Sequence, residues 1–472
     1  MKKHLALFLA VLMLISMLSL TSCGKKNQTP TGDFVVPENG YDGSEVTITF
    51  YHTMGQNLRD VLDIYIQEFN TLYPNIKIVH EQIGGYDDVR SQISTQINVG
   101  NQPNIAYCYP DHVALYNLAK AVATLDGLID SKIEVTRADG TKEILGLTDE
   151  QKADFIEGYY KEGAEFGDGL MYSMPLSKST EVLYYNKTFF EANNLSVPTT
   201  WDEMEAVCKK ILEIDPKSIP LGYDSEANWF ITMCEQYGSA YTSSTGDKYL
   251  FNNDKNIEFV TKFRDWYQKG YVTTQTLFGA YTSGLFTETV TSRCYMCIGS
   301  SAGASHQIPS KDADGNYPFE VGIATIPQID ASNPKVISQG PSLCIFKKNN
   351  SQEVVASWLF VKFLATKVEF QAEFSMVSGY VPVIKSVGEN EAYKKFIESA
   401  NGYGNLPALS AKICLEQEKA YYTSPAFNGS SVARDEVGTL MTKCLSGNDG
   451  GDTAGFIKTA FEDAIKQCKA KG

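Results

Sequence analysis

Segments with strand and helix character alternate from residue 46 onward, and this order limits the possible folds more than any other feature of the chain. VTITFYH (46–52) is rich in β-branched and aromatic residues, whereas residues 58–72 place apolar side chains at helical spacing and stop before Pro74. IKIVHE then reads as a strand, residues 87–99 as a helix and IAYCY (105–109) as a strand. This β-α-β-α-β order predicts an α/β fold in which a largely parallel sheet is covered on both faces.

A second block of strands and helices follows the first. It opens with the strand EVLYYN (181–186) and a helix that starts at the capping box Thr200-Trp-Asp-Glu203. The core of about 425 residues is too long for a single hydrophobic core, so at least two lobes are expected. Because no second linker is apparent, the chain should cross between the lobes several times. The later segments are predicted as helices at 226–239, 254–269, 352–374, 390–400, 407–419, 431–445 and 453–468, and as strands at 294–299, 319–325 and 343–348.

The N-terminus has the layout of a secretory signal peptide, with Lys2 and Lys3 before an apolar run that is too short to span a membrane comfortably. Leu20-Thr-Ser-Cys23 resembles a bacterial lipobox, which predicts that residues 1–22 are removed and that Cys23 carries a diacylglyceryl group and an acyl chain such as palmitate. An ordinary signal peptide with a chance cysteine is the alternative. Residues 23–44 contain few apolar groups and are expected to form a flexible stalk.

Charge and cysteine content narrow the function classes. Without the signal peptide, the chain has 39 basic and 56 acidic residues, a net charge near −17. Such a surface repels nucleic acid and anionic lipid head groups.

Nine cysteines remain besides Cys23, an odd number that excludes a complete disulfide framework and favours free thiols. Cys294 and Cys297 are interpreted as strand residues on opposite faces rather than a redox pair. The five histidines show no ligand spacing, so neither a metal site nor a cofactor is predicted.

Several motifs resemble those of the family 1 extracellular solute-binding proteins, the receptors of bacterial ATP-driven importers. The main one is Pro175-Leu-Ser-Lys-Ser-Thr-Glu-Val-Leu-Tyr-Tyr-Asn-Lys187 followed by Pro198-Thr-Thr-Trp201. Further motifs recur in the family order, namely Asn101-Gln-Pro-Asn104, Cys294-Tyr-Met-Cys-Ile-Gly-Ser-Ser301, Gly340-Pro-Ser-Leu343 and Ser378-Gly-Tyr-Val-Pro382. The resemblance runs from Val46 to about Cys468.

This resemblance implies two α/β lobes in the Venus flytrap arrangement of periplasmic binding proteins, joined by a hinge of two or three crossings. The first lobe is expected to comprise residues 45–175 and 341–385, and the second residues 176–340 and 386–472. The ligand should occupy the cleft between the lobes and favour their closure. A monomeric receptor anchored to the outer face of the cell membrane would then deliver its solute to the transmembrane subunits of an ABC permease.

Within the family, the chain is most similar to the subgroup that binds sn-glycerol 3-phosphate and glycerophosphodiesters. The ligand-contacting positions of that subgroup, carried over together with Asp111, give the candidate site: Tyr86, Asp111, Ser179, Trp229, Ser300, Gly340, Tyr380 and Arg434. Arg434 offers a planar fork for a phosphate, and the serine and tyrosine hydroxyls offer further donors. One departure concerns polyol recognition, because Pro110 stands where the subgroup has a hydroxyl-binding glutamate and Asp111 lies beside it.

Two alternatives remain open. An oligosaccharide receptor of the same family would share these motifs, and the 27 tyrosines and abundant carboxylates suit stacked sugars. An exported hydrolase acting on phosphodiesters or glycans would need a nucleophile with a base, a metal cluster or two catalytic carboxylates. Because no nucleophile or metal motif is apparent, the protein is not expected to be an enzyme.

Overall fold

The computed structural model describes residues 28–288 and 294–472. The predicted signal peptide, residues 1–22, and Cys23 lie outside the described residues. The strands are β1 Val46–His52, β2 Ile76–Gln82, β3 Ile105–Cys108, β4 Glu134–Thr136, β5 Lys142–Ile144, β6 Ser173–Pro175, β7 Glu181–Asn186, β8 Ile219–Tyr223, β9 Val272–Thr274, β10 Cys294–Ser300, β11 Val321–Ala324, β12 Val336–Ile337, β13 Ser342–Ile345 and β14 Tyr421–Tyr422.

The helices are numbered in chain order. They are α1 Gln56–Leu72, α2 Tyr86–Ile97, α3 Pro110–Asn117, α4 Asp126–Ile129, α5 Asp149–Asp154, α6 Glu157–Lys161, α7 Lys187–Ala192, α8 Trp201–Ile214, α9 Glu226–Gln236, α10 Asp254–Gln268, α11 Gln275–Phe278, α12 Ser283–Thr287, α13 Ser351–Thr366, α14 Val368–Ser378, α15 Glu391–Glu398, α16 Leu406–Glu416, α17 Ser430–Ser446 and α18 Thr453–Lys471.

The first lobe is built on the sheet β2-β1-β3-β13-β6. β1 pairs in parallel with β2 and β3, whereas β13 runs antiparallel to β3 and β6. Both faces are buried: Tyr107 and Leu343 point into one apolar cluster, and Ala106 and Cys344 into another on the opposite face. Alternation of this kind follows from the two-residue period of a strand. The predicted parallel β-α-β-α-β unit is confirmed, with an antiparallel extension by later strands.

The second lobe is built on the sheet β11-β7-β10-β8-β9. β7 runs antiparallel to both β10 and β11, and β8 runs parallel to β9 and β10. Leu221, Met296 and Ile298 face an apolar core formed with α8, α9, α10, α17 and α18. The capping box predicted at Thr200 and Glu203 is present and starts α8. The fold is therefore a two-lobed α/β fold, as predicted.

The chain passes between the lobes through segments that lie side by side. The segment 176–180 joins β6 to β7, and its residue Ser179 pairs with Gln339, which lies on the return from β12 to β13. Lys178 pairs through its backbone with Val381 of the segment after α14. These paired segments form the hinge beneath the space between the two sheets. The next return to the second lobe lies between α15, which packs against α14, and α16, which packs against β7 and β11.

Two expectations need correction. The flexible stalk predicted for residues 23–44 does not describe residues 28–44, because Phe34, Val36 and Tyr41 pack against the first lobe and the backbone of residues 40 and 42 bonds to Gln352. Residues 28–44 have few apolar side chains, but those side chains pack against the same surface of the first lobe.

The single helix predicted at 352–374 is two helices that meet at Lys367. The bend lets Phe370 reach the Tyr65 ring, with the ring centroids 5.2 Å apart.

Candidate functional site

A cavity of about 170 Å³ lies between the lobes, next to the hinge. Its first-lobe wall starts where β3 ends, a place where α/β proteins commonly bind ligands. Pro110 occupies the first turn of α3, a position that suits its fixed φ and missing N–H, and so turns the chain along the cavity. The lining comprises Tyr109, Pro110, Asp111, Glu162, Ile231, Tyr241, Thr242, Ile337, Ser338, Gln339, Thr423, Ser424, Pro425, Ala426, Ser430 and Arg434.

Arg434 is held at the cavity wall by a chain of hydrogen bonds. It lies in the second turn of α17 and donates through Nη2 to Oδ1 of Asn228 on α9. The Asn228 amide donates to Oε1 of Glu181 at 3.0 Å and to Oε1 of Gln339 at 2.9 Å. The amide thus fixes one edge of the guanidinium, and within residues 28–288 and 294–472 its other N–H groups have no hydrogen-bond partner.

Glu181 is a buried carboxyl at the end of this series of hydrogen bonds. It starts β7, is 1% exposed and accepts a hydrogen bond from the Tyr223 hydroxyl at 2.7 Å. Burial raises the pKa of Glu181 to about 7, although Tyr223, Asn228 and the charge of Arg434 act in the opposite direction. Desolvation disfavours the charged form of a carboxyl, so Glu181 titrates close to neutral pH.

Tyrosine side chains form a layer that includes Tyr109 of the first-lobe wall. The Tyr86 ring lies 4.5 Å from that of Tyr109 and 6.3 Å from that of Tyr107, and its hydroxyl bonds to Tyr380. Burial raises the pKa of each of these four tyrosines above its usual value. The hydroxyls therefore stay protonated and can donate hydrogen bonds.

Three hydroxyls in the lining are buried and have no hydrogen-bond partner within residues 28–288 and 294–472. They belong to Tyr241, Thr242 and Ser338. Buried polar groups in native proteins are almost always paired, so each such group calls for an explanation. Their common location in the cavity wall indicates a place for a polar ligand.

The cavity brings together only part of the predicted site. Asp111 and Arg434 line it, and Tyr86 and Tyr380 belong to the tyrosine layer that includes Tyr109. Ser179 and Gly340 lie in the hinge next to the lining residue Gln339. Gly340 has φ +98°, and a Cβ there would lie 2.6 Å from the Ser177 carbonyl oxygen. Ser300 is exposed at the end of β10, where its hydroxyl accepts from the Ala302 N–H.

The structure does not place Trp229 in the cavity wall. Its ring is fully buried in the second lobe, where it stacks on the Tyr223 ring at 4.9 Å and contacts the Phe263 ring at 4.3 Å with the two planes tilted. Helix α9 directs the neighbouring Asn228 toward Arg434 instead, since adjacent helical residues face different directions. The expectation that Trp229 contacts the ligand is therefore corrected to a role in the core.

Sequence reasoning also missed Glu162, Glu181, Asn228 and the unpaired hydroxyls. Glu181 lies inside the EVLYYN strand motif, where an acidic residue at the head of a buried strand was a usable signal. Glu162 and Tyr241 lie in segments without a motif, and only the folded chain brings them to the cavity.

Residues 65–400 match the family of bacterial extracellular solute-binding proteins. The chain belongs to this family. Its members serve ABC importers, so the protein is a solute-binding receptor of such an importer and acts outside the cytoplasm. Within the described residues, no helix is long and apolar enough to cross a membrane.

Proteins similar in sequence to this solute-binding protein include sn-glycerol-3-phosphate-binding proteins. It is 25% identical over 374 residues to the sn-glycerol-3-phosphate-binding periplasmic protein of Escherichia coli strain K12, which covers 75% of this chain and 78% of the relative. It is 26% identical over 361 residues to the protein of that name from Salmonella typhimurium, with 73% and 75% covered.

Solved structures of other binding proteins share the fold. UgpB from Mycobacterium tuberculosis, in complex with glycerophosphocholine, superposes with a TM-score of 0.69 at 16% identity, covering 90% of this chain and 98% of that one. The cyclic alpha-maltosyl-1,6-maltose binding protein from Arthrobacter globiformis gives 0.66 at 21% identity, covering 90% and 100%. At these identities, the likeness supports the two-lobed fold and leaves the solute open.

Proposed function

We propose that this solute-binding protein captures a glycerol phosphate or a glycerophosphodiester in its interlobe cavity and delivers it unchanged to an ABC permease. The observation that carries the proposal is Arg434, oriented toward the cavity by Asn228. A guanidinium whose remaining N–H groups meet no acceptor in the described part of the chain suits a phosphate ester, which accepts two parallel charge-assisted hydrogen bonds. The glycerol-phosphate receptors among its relatives support this choice.

The size and lining of the cavity also favour a small polar solute. Its volume of about 170 Å³ is below the range of roughly 300–1,000 Å³ that holds drug-sized ligands. The unpaired hydroxyls of Tyr241, Thr242 and Ser338 can bond to a phosphate or to ligand hydroxyls. Ser179 and Gly340 would act by shaping the hinge at this site, while Ser300 would contact a ligand only after a change in lobe closure.

The second candidate is an oligosaccharide receptor. It is favoured by the tyrosine layer around Tyr86 and by two carboxylates in the lining, Asp111 and Glu162, since sugars stack on aromatic rings and donate to carboxylates. The maltose-binding structures with the same fold are compatible with this reading.

A ligand screen separates the two candidates. Mature protein, residues 23–472 with Cys23→Ser to prevent acylation, is screened by thermal shift against sn-glycerol 3-phosphate, glycerophosphocholine and maltodextrins. A ligand that binds only the folded state raises the melting temperature. Stabilisation by the phosphate compounds supports the proposal, and stabilisation by maltodextrins alone contradicts it.

Arg434→Ala provides the decisive variant. We expect at least a roughly 100-fold loss of affinity for sn-glycerol 3-phosphate, because the anion loses its charged partner. Lys443→Ala is the matched control, since Lys443 lies on the same helix and pairs with Asp463 at the surface. Unchanged affinity in Arg434→Ala would contradict the phosphate proposal.

Prolonged incubation of the protein with glycerophosphocholine should release no product. Turnover would instead support the hydrolase alternative.

We also propose the membrane address that the lipobox motif predicts. Acylation of Cys23 would hold the receptor at the outer face of the membrane, and the few residues between Cys23 and Thr29 would be the tether. Thr29 already bonds to Ile97 and Gln102 of the first lobe. We also propose the division into lobes at 45–175 plus 341–385 and 176–340 plus 386–472, with the last boundary moved to the segment between α15 and α16, because α15 packs against α14 of the first lobe.

A further inference from the structure

Glu162 is a buried carboxylate that reaches the cavity from the first lobe. It begins the short 3₁₀ turn Glu162–Ala164 after α6, and its side chain is 2% exposed. The turn is packed tightly against β6, because a Cβ on Gly163 would lie 2.2 Å from the Ser173 carbonyl oxygen. The carboxylate therefore has little freedom to move away from the cavity.

One oxygen of Glu162 is committed to the hinge. Oε1 accepts from the Lys178 ammonium and from the Ser342 hydroxyl, the latter at 3.2 Å. Lys178 is fully buried and also donates to the Gly340 carbonyl at 3.2 Å and to Ser342 Oγ at 3.0 Å. The ammonium thus has three acceptors for its three protons, which satisfies a buried cation.

The other oxygen of Glu162 is available to a ligand. Among the described parts of the chain, no hydrogen bond to Oε2 is found, although the residue is almost completely buried and lines the cavity. A carboxylate accepts hydrogen bonds at both oxygens, so Oε2 keeps its acceptor capacity at the cavity wall. The surroundings include the unpaired hydroxyls of Tyr241, Thr242 and Ser338 on the same cavity.

We propose that Glu162 is a specificity-determining residue of this site, whose Oε2 accepts a hydrogen bond from a ligand hydroxyl while Lys178 holds the side chain in place. This inference rests on the proposed binding of a glycerol phosphate at Arg434. Asp111 is the other carboxylate in the lining, but it lies in the first turn of α3, where Oδ1 accepts from the His112 N–H. Glu162 is the more deeply buried of the two acceptors, since its side chain is 2% exposed and that of Asp111 is 19% exposed.

The test compares two esters that differ only in their hydroxyls. Isothermal titration of the mature protein at pH 7.5 uses sn-glycerol 3-phosphate and n-propyl phosphate, which lacks both hydroxyls. A hydrogen bond to a charged acceptor predicts that the wild-type protein prefers the glycerol ester by roughly 10- to 100-fold. In Glu162→Gln, the preference should fall to within about threefold, with the affinity for n-propyl phosphate nearly unchanged. Glu157→Gln is the matched control, since Glu157 lies outside the cavity and pairs with Lys161 at the surface, and it should keep the preference.

A second variant guards against a folding defect, since Glu162→Gln leaves the Lys178 ammonium without a charged partner. Glu162→Met combined with Lys178→Met removes both charges, an exchange that folded proteins often tolerate, and it should lose the preference too. Equal affinity of the wild-type protein for the two esters overturns this inference, as does loss of preference in Asp111→Asn with retention in Glu162→Gln. If neither ester binds the wild-type protein, the proposed function fails and this inference fails with it.

Discussion

At the scale of single residues, the site depends on polar groups whose environment differs from water. Glu181 shows this most clearly, because a carboxyl that is 1% exposed lies among the Tyr223 hydroxyl, the Asn228 amide and the more distant charges of Arg434 and Asp224. Its position at the head of β7 comes from the sequence, but these neighbours come from other parts of the second lobe, namely β8 and the residue after it, α9 and α17.

The raised pKa of Glu181 predicts a pH dependence of stability. The folded protein holds this proton up to a pKa of about 7, whereas an unfolded glutamate releases it near 4.5. The folded state therefore binds more protons between these values, and the contribution of Glu181 to stability falls as pH rises from about 4.5 to about 7. The total change is on the order of 3 kcal/mol. Urea unfolding measures the free energy of unfolding of the wild type and of Glu181→Gln. As pH rises from 5 to 8, this free energy should fall more for the wild type than for the variant. A difference between the two that stays constant with pH would contradict this.

Trp229 gives a second prediction at this scale. Because its ring is buried between Tyr223 and Phe263, Trp229→Ala should lower the free energy of unfolding by about 3–5 kcal/mol. Trp229→Phe should cost less, and the folded variant should bind ligand with nearly wild-type affinity, as measured by titration calorimetry. A large loss of affinity in a well-folded Trp229→Phe protein would restore Trp229 to the site.

At the scale of elements, the hinge is a set of short segments that approach each other closely. Gly340 permits this, since φ +98° is unfavourable for other residues and a Cβ would lie 2.8 Å from the Lys178 Cα. Gly340→Ala should therefore lower the free energy of unfolding by more than about 2 kcal/mol. Gly315→Ala is the control, because Gly315 has φ +84° with no atom near the added Cβ, and it should lose only the strain. Equal losses in urea unfolding would show that the close approach does not matter.

At the scale of the whole molecule, the proposed acylation of Cys23 predicts where the receptor is located in the cell. If Cys23 is acylated, the wild-type protein should partition with membranes and into detergent, whereas Cys23→Ala should not, because a diacylglyceryl group supplies most of the membrane affinity. Fractionation followed by immunoblotting measures this. Cys23→Ala should still bind the solute, since Thr29 and the residues after it lie on the first lobe. Membrane retention of Cys23→Ala would instead point to an uncleaved signal segment.

The state of the cysteines is also a property of the whole molecule. Cys294 and Cys297, with the other seven cysteines of the described chain, are free and buried. Burial raises the pKa of the Cys294 thiol to about 12, which suppresses the reactive thiolate. This agrees with the prediction that the pair on β10 is structural.

The sequence by itself determined the local elements and their order. The strand EVLYYN and the capping box at Thr200 and Glu203 appear where predicted, since strand alternation and helix capping involve residues close together in the chain. Tertiary structure decided which side chains reach the cavity, because that depends on contacts between residues far apart. It turned Trp229 into the core and Asn228 toward Arg434, joined Glu162 to Lys178 and Ser342, and laid residues 28–44 along the first lobe.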